Sequence, residues 1–288
     1  MFKTTIGSKH FGALVGISTL SIALSVFTTC GADAATKDKK VTPAEVSVHT
    51  EDLVETGVRD MSFHKTKDAL SNFDKAIAES PSYALAYANR ANAYIQLGRN
   101  KEAIADCTKA ISLNPSQIIA YVNRAWAYNN SREYEKSIAD CTKAIELNSK
   151  MVIAYQNRSH AYNQLGKHSE ALSDANKIIE LNRDFAPAYV NRAHTYIGLK
   201  EFNKAVEDCN TALRLKPDYT KAFLNRGHAY RELGELDKAL EDVNKAISMH
   251  AGMANAYLNR SRIYELKASK DRSEAKKLGL DVKSDSQD

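Results

Sequence analysis

The chain has 288 residues, 43% hydrophobic and 26% charged, with a formal net charge of +5. This is ordinary composition for one or two globular domains. The charge is too mild to indicate nucleic acid, and no basic run is flanked by stacking aromatics.

Residues 1–35 differ in kind from the rest. Lys3, Lys9 and His10 form a basic lead, Phe11–Phe27 carries no charge, and "ADA" at Ala32–Ala34 places small residues where a signal peptidase reads. The charge-free stretch continues to Ala32, about long enough to span a bilayer. Three readings are open: a cleaved secretion signal, an uncleaved anchor, or a lipoprotein attached through Cys30, although "FTTC" is a poor lipobox. All three export the rest of the chain, with the anchor's positive lead on the cytoplasmic side. Expected locations are the periplasm or cell envelope, with secretion or an outer-membrane lipoprotein as variants. Residues 36–49 are polar, hold Pro43 and lack a helical period, so they read as a flexible linker.

From residue 50 a period of 34 residues governs the chain. "NRANAY" (Asn89–Tyr94) returns as "NRAWAY", "NRSHAY", "NRAHTY", "NRGHAY" and "NRSRIY", each 34 residues after the last. Two amphipathic segments per period are the mark of a helical solenoid. A degenerate repeat covers 50–83, with Asp60 at the usual Tyr position. Full repeats cover 84–117, 118–151, 152–185, 186–219 and 220–253, and a truncated one covers 254–280. Atypical terminal repeats are expected, because the ends of a stack face solvent. Residues 281–288 read as a disordered tail.

Counting each repeat from Ala84, positions 3, 4, 7, 8 and 11 of the first helix fall within an arc of about 140°. They carry Ala, an aromatic, Arg, a small residue and Tyr. "LG" at Leu97–Gly98, Leu165–Gly166 and Leu233–Gly234 supplies a glycine C-cap to that helix. Cys107, Cys141 and Cys209 share one repeat position. Equivalent sites on stacked helices lie about 10 Å apart, too far for a disulfide. They read as small buried thiols.

This pattern resembles the tetratricopeptide repeat family, with an aromatic at position 4, small at 8, Tyr at 11, Ala at 20 and 27, and Pro at 32. Repeat 186–219 shows it as Tyr189, Ala193, Tyr196, Ala205, Ala212 and Pro217. Ser149, Arg183 and Ala251 replace the proline, and Ser137 replaces an alanine. The resemblance implies an all-α fold: a right-handed superhelical solenoid of antiparallel helix pairs, whose first helices line a concave groove.

On the first helix, positions 2, 6, 9 and 13 oppose the packed arc. Position 6 holds Asn89, Asn123, Asn157, Asn191, Asn225 and Asn259. Asn costs helix stability, yet it persists while positions 5 and 13 vary. The expectation is a ladder of amides gripping the backbone of an extended peptide. It resembles the asparagine ladder in the tetratricopeptide superhelix of O-GlcNAc transferase, and nothing here resembles that enzyme's catalytic domain. The structural alternative is Asn bonding across neighbouring first helices. Position 9 holds Trp126, His160, His194, His228 and Arg262, and position 2 runs from Leu85, Ile119 and Ile153 to Lys221. These are groove candidates, with apolar anchors at one end and basic groups, Arg231 among them, at the other. The histidines, about 10 Å apart, cannot share a zinc ion bound at about 2 Å. Arg at position 7 and Asp at position 23 recur together and read as a structural ion pair, for instance Arg90 with Asp106.

No Lys at position 5 and no Arg at position 6 supplies the carboxylate clamp of chaperone-binding modules. No phosphate loop, nucleophile elbow or metal cluster appears. No catalytic residue, cofactor or metal is expected. The functional expectation is an exported scaffold binding an extended segment of a partner protein. The alternative is a membrane-tethered structural component of an envelope assembly that uses its outer surfaces.

Overall fold

The computed structural model describes residues 46–280. The export segment with Cys30, the linker up to residue 45 and the tail 281–288 lie outside the described residues. Among the described residues there are thirteen helices and no strand: α1 (Val48–Ser62), α2 (Thr66–Glu79), α3 (Ala84–Gln96), α4 (Asn100–Leu113), α5 (Ile118–Asn130), α6 (Tyr134–Leu147), α7 (Val152–Gln164), α8 (His168–Leu181), α9 (Ala186–Gly198), α10 (Phe202–Leu215), α11 (Thr220–Glu232), α12 (Leu236–Met249) and α13 (Ala254–Lys277). Odd-numbered helices are the first (A) helix of each repeat and even-numbered ones the second (B). The result is an all-α helical-repeat solenoid. Ser47 caps α1 by accepting the amide of Thr50 at 3.1 Å, so the first helix begins two residues before the expected repeat boundary.

The A–B turn depends on one residue in the left-handed region. Gly98, Gly166 and Gly234 take it with φ of 72°, 72° and 78°. His64, Arg132 and Lys200 take it at the same repeat position with φ of 60°, 63° and 60°. Paired backbone bonds hold the turn, such as Arg99 N to Tyr94 O at 2.8 Å and Glu201 N to Tyr196 O at 2.8 Å. Hence the turn survives where glycine is absent. The B–A turn shows a similar economy. The hydroxyls of Tyr87, Tyr155 and Tyr189 donate to the carbonyls of Pro81, Ser149 and Arg183 at 3.1, 3.2 and 2.9 Å. What the turn uses at position 32 is a carbonyl, which explains why Pro is replaceable there.

The chain divides into two compact units, Met1–Asn157 and Arg158–Asp288, with the boundary inside α7. In the first unit, Ala88, Ala91, Ala103, Cys107, Ala110 and Ala120 are fully buried and let α3, α4 and α5 approach closely. In the second, Ala193, Ala205, Cys209 and Ala229 do the same for α9, α10 and α11. Positions 8 and 24 exchange volume. Ala91 faces Cys107 and Ala193 faces Cys209, but Gly57 faces Phe73 and Gly227 faces Val243. A Cβ on Gly57 would lie 2.5 Å from the Phe73 ring, and one on Gly227 would lie 2.9 Å from Val243 Cγ2. Cys107, Cys141 and Cys209 are buried. Burial pushes the Cys107 and Cys209 thiols well above their usual range.

Candidate functional site

In the five complete repeats the Arg at position 7 forks onto the Asp at position 23 of its own B helix. Arg90 Nε and Nη2 reach Asp106 at 2.7 and 2.8 Å; Arg192 reaches Asp208 at 2.7 and 2.7 Å. Arg124–Asp140, Arg158–Asp174 and Arg226–Asp242 repeat the geometry. The third guanidinium nitrogen turns to the preceding B helix, as Arg192 Nη1 does to Asn176 Oδ1 at 2.8 Å. The pairs are therefore bidentate and nearly buried. They bind helix to helix, as the recurrence of the two residues implies.

The asparagines lie at the seam between adjacent A helices. Asn123 Nδ2 donates to Ala88 O at 2.9 Å, Asn157 to Val122 O at 3.4 Å, and Asn225 to Val190 O at 3.1 Å. Asn89, at the start of the series, donates to Leu85 O of its own helix at 3.0 Å. Asn259 Oδ1 accepts from Arg231 Nη1, while Asn191 is half-buried. Asn89 and Asn123 are only 5% and 7% exposed. This corrects the picture of free-standing amides. Small residues at position 3, such as fully buried Ala120, bring A helices close enough for the side chain to reach the neighbour's carbonyl. The N–H is then spent on the fold, and the Oδ1 atoms of Asn123, Asn157 and Asn225 make no hydrogen bond among the described residues.

Position 2 is corrected similarly. Leu85, Ile119 and Ile153 are half-buried and pack against the alanine cores, so they are not open apolar anchors. Trp126 also rests partly on the Ala84–Ala127 cluster with some of its ring exposed.

In the second unit the polar side of the A helices carries Lys221 and Arg262 together with three imidazoles whose surroundings favour the neutral form. His160 and His194 are exposed, His228 and Lys221 half-buried, and Arg262 exposed. His160 keeps an exposed edge, yet surrounding protein and the nearby His194 and Lys221 push its pKa down to about 4. Burial, with His168 nearby, lowers His194; burial, then Arg231, lowers His228 against the opposing pull of Glu232. Burial also lowers Lys221. Glu232 is a carboxylate that touches this row, 3.5 Å from His228 Nε2 and 2.6 Å from Arg231 Nη2. The sequence pattern places Glu232 on this side, at position 13, but does not point to His168. His168 stacks where a Cβ on Gly198 would stand, 2.5 Å from its Cε1, and bonds Asn163 Oδ1 at 3.1 Å. Only the singleton Gly198 at a variable position hints at it.

Among the described residues no three His, Cys, Asp or Glu side chains gather as a metal site, and no helix is long and apolar enough to cross a membrane.

Models of the tetratricopeptide repeat match residues 84–117, 118–151, 152–185, 186–219 and 220–251. No curated protein matches the chain. Similar solved structures include a chain of the APC/C hetero-tetramer Cut9-Hcn1, at 14% identity and a TM-score of 0.68, covering 74% of this chain and 42% of that one. This chain thus spans less than half of that protein. A tetratricopeptide repeat protein from Parabacteroides merdae is 23% identical with a TM-score of 0.64, covering 82% and 95%. PilW, a widely conserved type IV pilus biogenesis factor, is 17% identical with a TM-score of 0.67, covering 74% and 98%. Identities this low establish the fold alone. With its repeat matched over more than half the sequence, the chain belongs to the tetratricopeptide repeat family.

Proposed function

We propose that the protein is an exported scaffold that holds an extended segment of a partner protein against its A helices. The observation that carries this is a polar row in the second unit, in which Lys221 and Arg262 are cationic and the imidazoles, held towards the neutral form by burial, are hydrogen-bonding groups. His160, His194, Lys221, His228 and Arg262 come from four A helices and share one face, with Glu232 as an acid at its edge. A segment bearing carboxylates complements Lys221 and Arg262, and polar groups of the same segment meet the imidazoles. Within the same unit the Oδ1 atom of Asn225 is an acceptor for a backbone N–H of the segment. Export rests on the Phe11–Phe27 stretch, with Cys30 as the lipid-attachment candidate. Palmitate labelling that is unchanged in Cys30→Ser, or absent from both forms, removes the lipid attachment.

Fluorescence anisotropy with a labelled oligo-glutamate peptide and its glutamine counterpart tests the groove. The glutamate peptide is expected to bind the parent chain more tightly. It is expected to lose that preference in Lys221→Ala/Arg262→Ala and to keep it in Lys109→Glu/Lys245→Glu, which changes exposed B-helix residues. Equal binding by both variants sinks the proposal.

The alternative, a membrane-tethered envelope component using its outer surfaces, is favoured by one observation. Tyr257 and Tyr264 on α13 are 41% and 51% exposed.

A further inference from the structure

Helix α13 is 24 residues long, whereas the A helices α9 and α11 have 13. Its first half is a normal A helix. Ala256 and Ile263 are fully buried at positions 3 and 10 against α12. Among the described residues no B helix covers this half. Tyr257 and Tyr264 occupy positions 4 and 11, where Tyr189 and Tyr196 are packed against α10. Arg260 occupies position 7, where its Nη1 is engaged by Asn244 Oδ1 at 3.1 Å. The Nε–Nη2 edge, which grips Asp208 in Arg192 and Asp242 in Arg226, has no carboxylate among the described residues.

The second half of α13 carries the missing pattern. The B helix α10 presents Ala205, Asp208, Ala212 and Leu215; α12 presents Ala239, Asp242, Ala246 and Met249. Helix α13 presents Ala268, Asp271, Ala275 and Leu278 with identical spacing, preceded by Lys267 as the others are by Lys204 and Lys238. Asp271 is exposed and makes no hydrogen bond or ion pair among the described residues. In the complete repeat Tyr196 precedes Ala205 by nine residues; here Tyr264 precedes Ala268 by four. The residues that would form the left-handed A–B turn are absent. The helix therefore runs on, and its B-like half cannot fold back over its own A half. Along a straight helix, Tyr257, Arg260, Ser261, Tyr264, Ala268, Asp271 and Ala275 all fall within about 100° of arc.

We propose that this face is the contact of a symmetric dimer, in which the A half of α13 in each copy packs antiparallel on the B-like half of the other. One two-fold axis near Leu266 makes every pairing of a complete repeat at once, and makes each twice. Arg260 meets Asp271 of the second copy, Tyr264 meets Ala268, and Tyr257 meets Ala275. A second copy is the fitting occupant because a single chain supplies both complementary halves on one face, the condition for a closed, isologous contact. The A–B pairing of the intact repeats supplies the geometry, and the Arg–Asp match supplies the charge complementarity.

Sedimentation velocity on the full chain, in a mild detergent and over a hundredfold range of concentration, tests this. A monomer–dimer equilibrium is expected. Arg260→Asp and Asp271→Arg should each weaken it at least about tenfold. The double variant should return to within about threefold of the parent, because the exchanged charges still meet across the axis. A second variant replaces Glu265–Lys267 with the Ile197–Lys204 segment, which restores the turn. It should be a monomer that melts higher than the parent, its B half now covering its own A half. A chain that stays monomeric throughout, a dimer indifferent to the charge reversals, or reversals without mutual rescue each overturn the proposal. None of these substitutions touches position 6 or position 9, so failure here leaves the peptide-binding proposal standing, and the reverse.

Discussion

Replacing Gly227 by Ala tests the volume exchange between positions 8 and 24. In an ordinary helix interior the change gains about 1 kcal/mol. Here the new methyl lies 2.9 Å from Val243 Cγ2 and 3.3 Å from both Ala239 O and Asp242 Cβ. Two of those contacts are with backbone or with Cβ, so the neighbours have little room to yield. Overpacking of this kind costs about 1–3 kcal/mol, which outweighs the helix gain. Val243→Cys alone opens a void beside Gly227 and costs about 1 kcal/mol. Together they recreate the Ala–Cys pair present as Ala193 and Cys209. The double variant is expected to equal or exceed the parent, a coupling of about 2 kcal/mol. Urea midpoints of the four proteins, followed by circular dichroism, measure it; midpoints are the right quantity because repeat arrays unfold in nearest-neighbour fashion. Additivity of the two substitutions within about 0.3 kcal/mol refutes the exchange.

The other expectations concern the same joints. Asp208→Asn, at a side chain 7% exposed, should cost about 3 kcal/mol by leaving Arg192 with half its partner. Arg192→Met/Asp208→Leu should melt higher than that single variant in differential scanning calorimetry. Lys200→Gly and Arg132→Gly relieve positive φ and should each raise the urea midpoint by the equivalent of about 0.5–1 kcal/mol. Asn123→Ala should cost about 1 kcal/mol through its lost bond to Ala88 O, and Asn123→Asp more, because it sets a carboxylate against a carbonyl. A harmless Asn123→Asp would show that the seam bond does not hold the helices. Finally, the folded pKa of His160 is depressed, so the unfolded chain binds more protons and stability falls as pH drops from about 6.5 towards 4. His160→Gln should shallow the melting-temperature profile over that window; an unchanged slope counts against the assignment.

Periodicity made the repeat boundaries, the Arg–Asp pairs and the burial of the three thiols legible, because each recurs at one phase of a helix. What phase could not show was how near the next helix stands. Asn123 projects away from the packed arc as expected, yet it meets Ala88 because alanines at position 3 draw the A helices together. The same closeness turns Leu85, Ile119 and Ile153 from groove anchors into packing. Single-position exceptions were also hard to interpret. Gly198 and Gly227 resemble neutral drift until His168 and Val243 are seen against them. The B-like half of α13 escaped notice because its pattern is intact but displaced by five residues from the 34-residue register.

The seam asparagines have a consequence for recognition. Where the bond ends on the neighbour's backbone carbonyl, as that of Asn225 does on Val190 O, it holds adjacent A helices at one pitch regardless of the side chains that surround it. Within the second unit His194, His228 and Arg262 therefore form a ruler with divisions of about 8–10 Å. A β-strand advances about 3.3 Å per residue and alternates its faces, so every third residue would point alternately towards and away from the ruler. A polyproline II segment advances about 3.1 Å per residue and repeats its face every third residue, about 9.3 Å. A segment in that conformation would bring every third side chain to the ruler, polar groups to His194 and His228 and a carboxylate to Arg262.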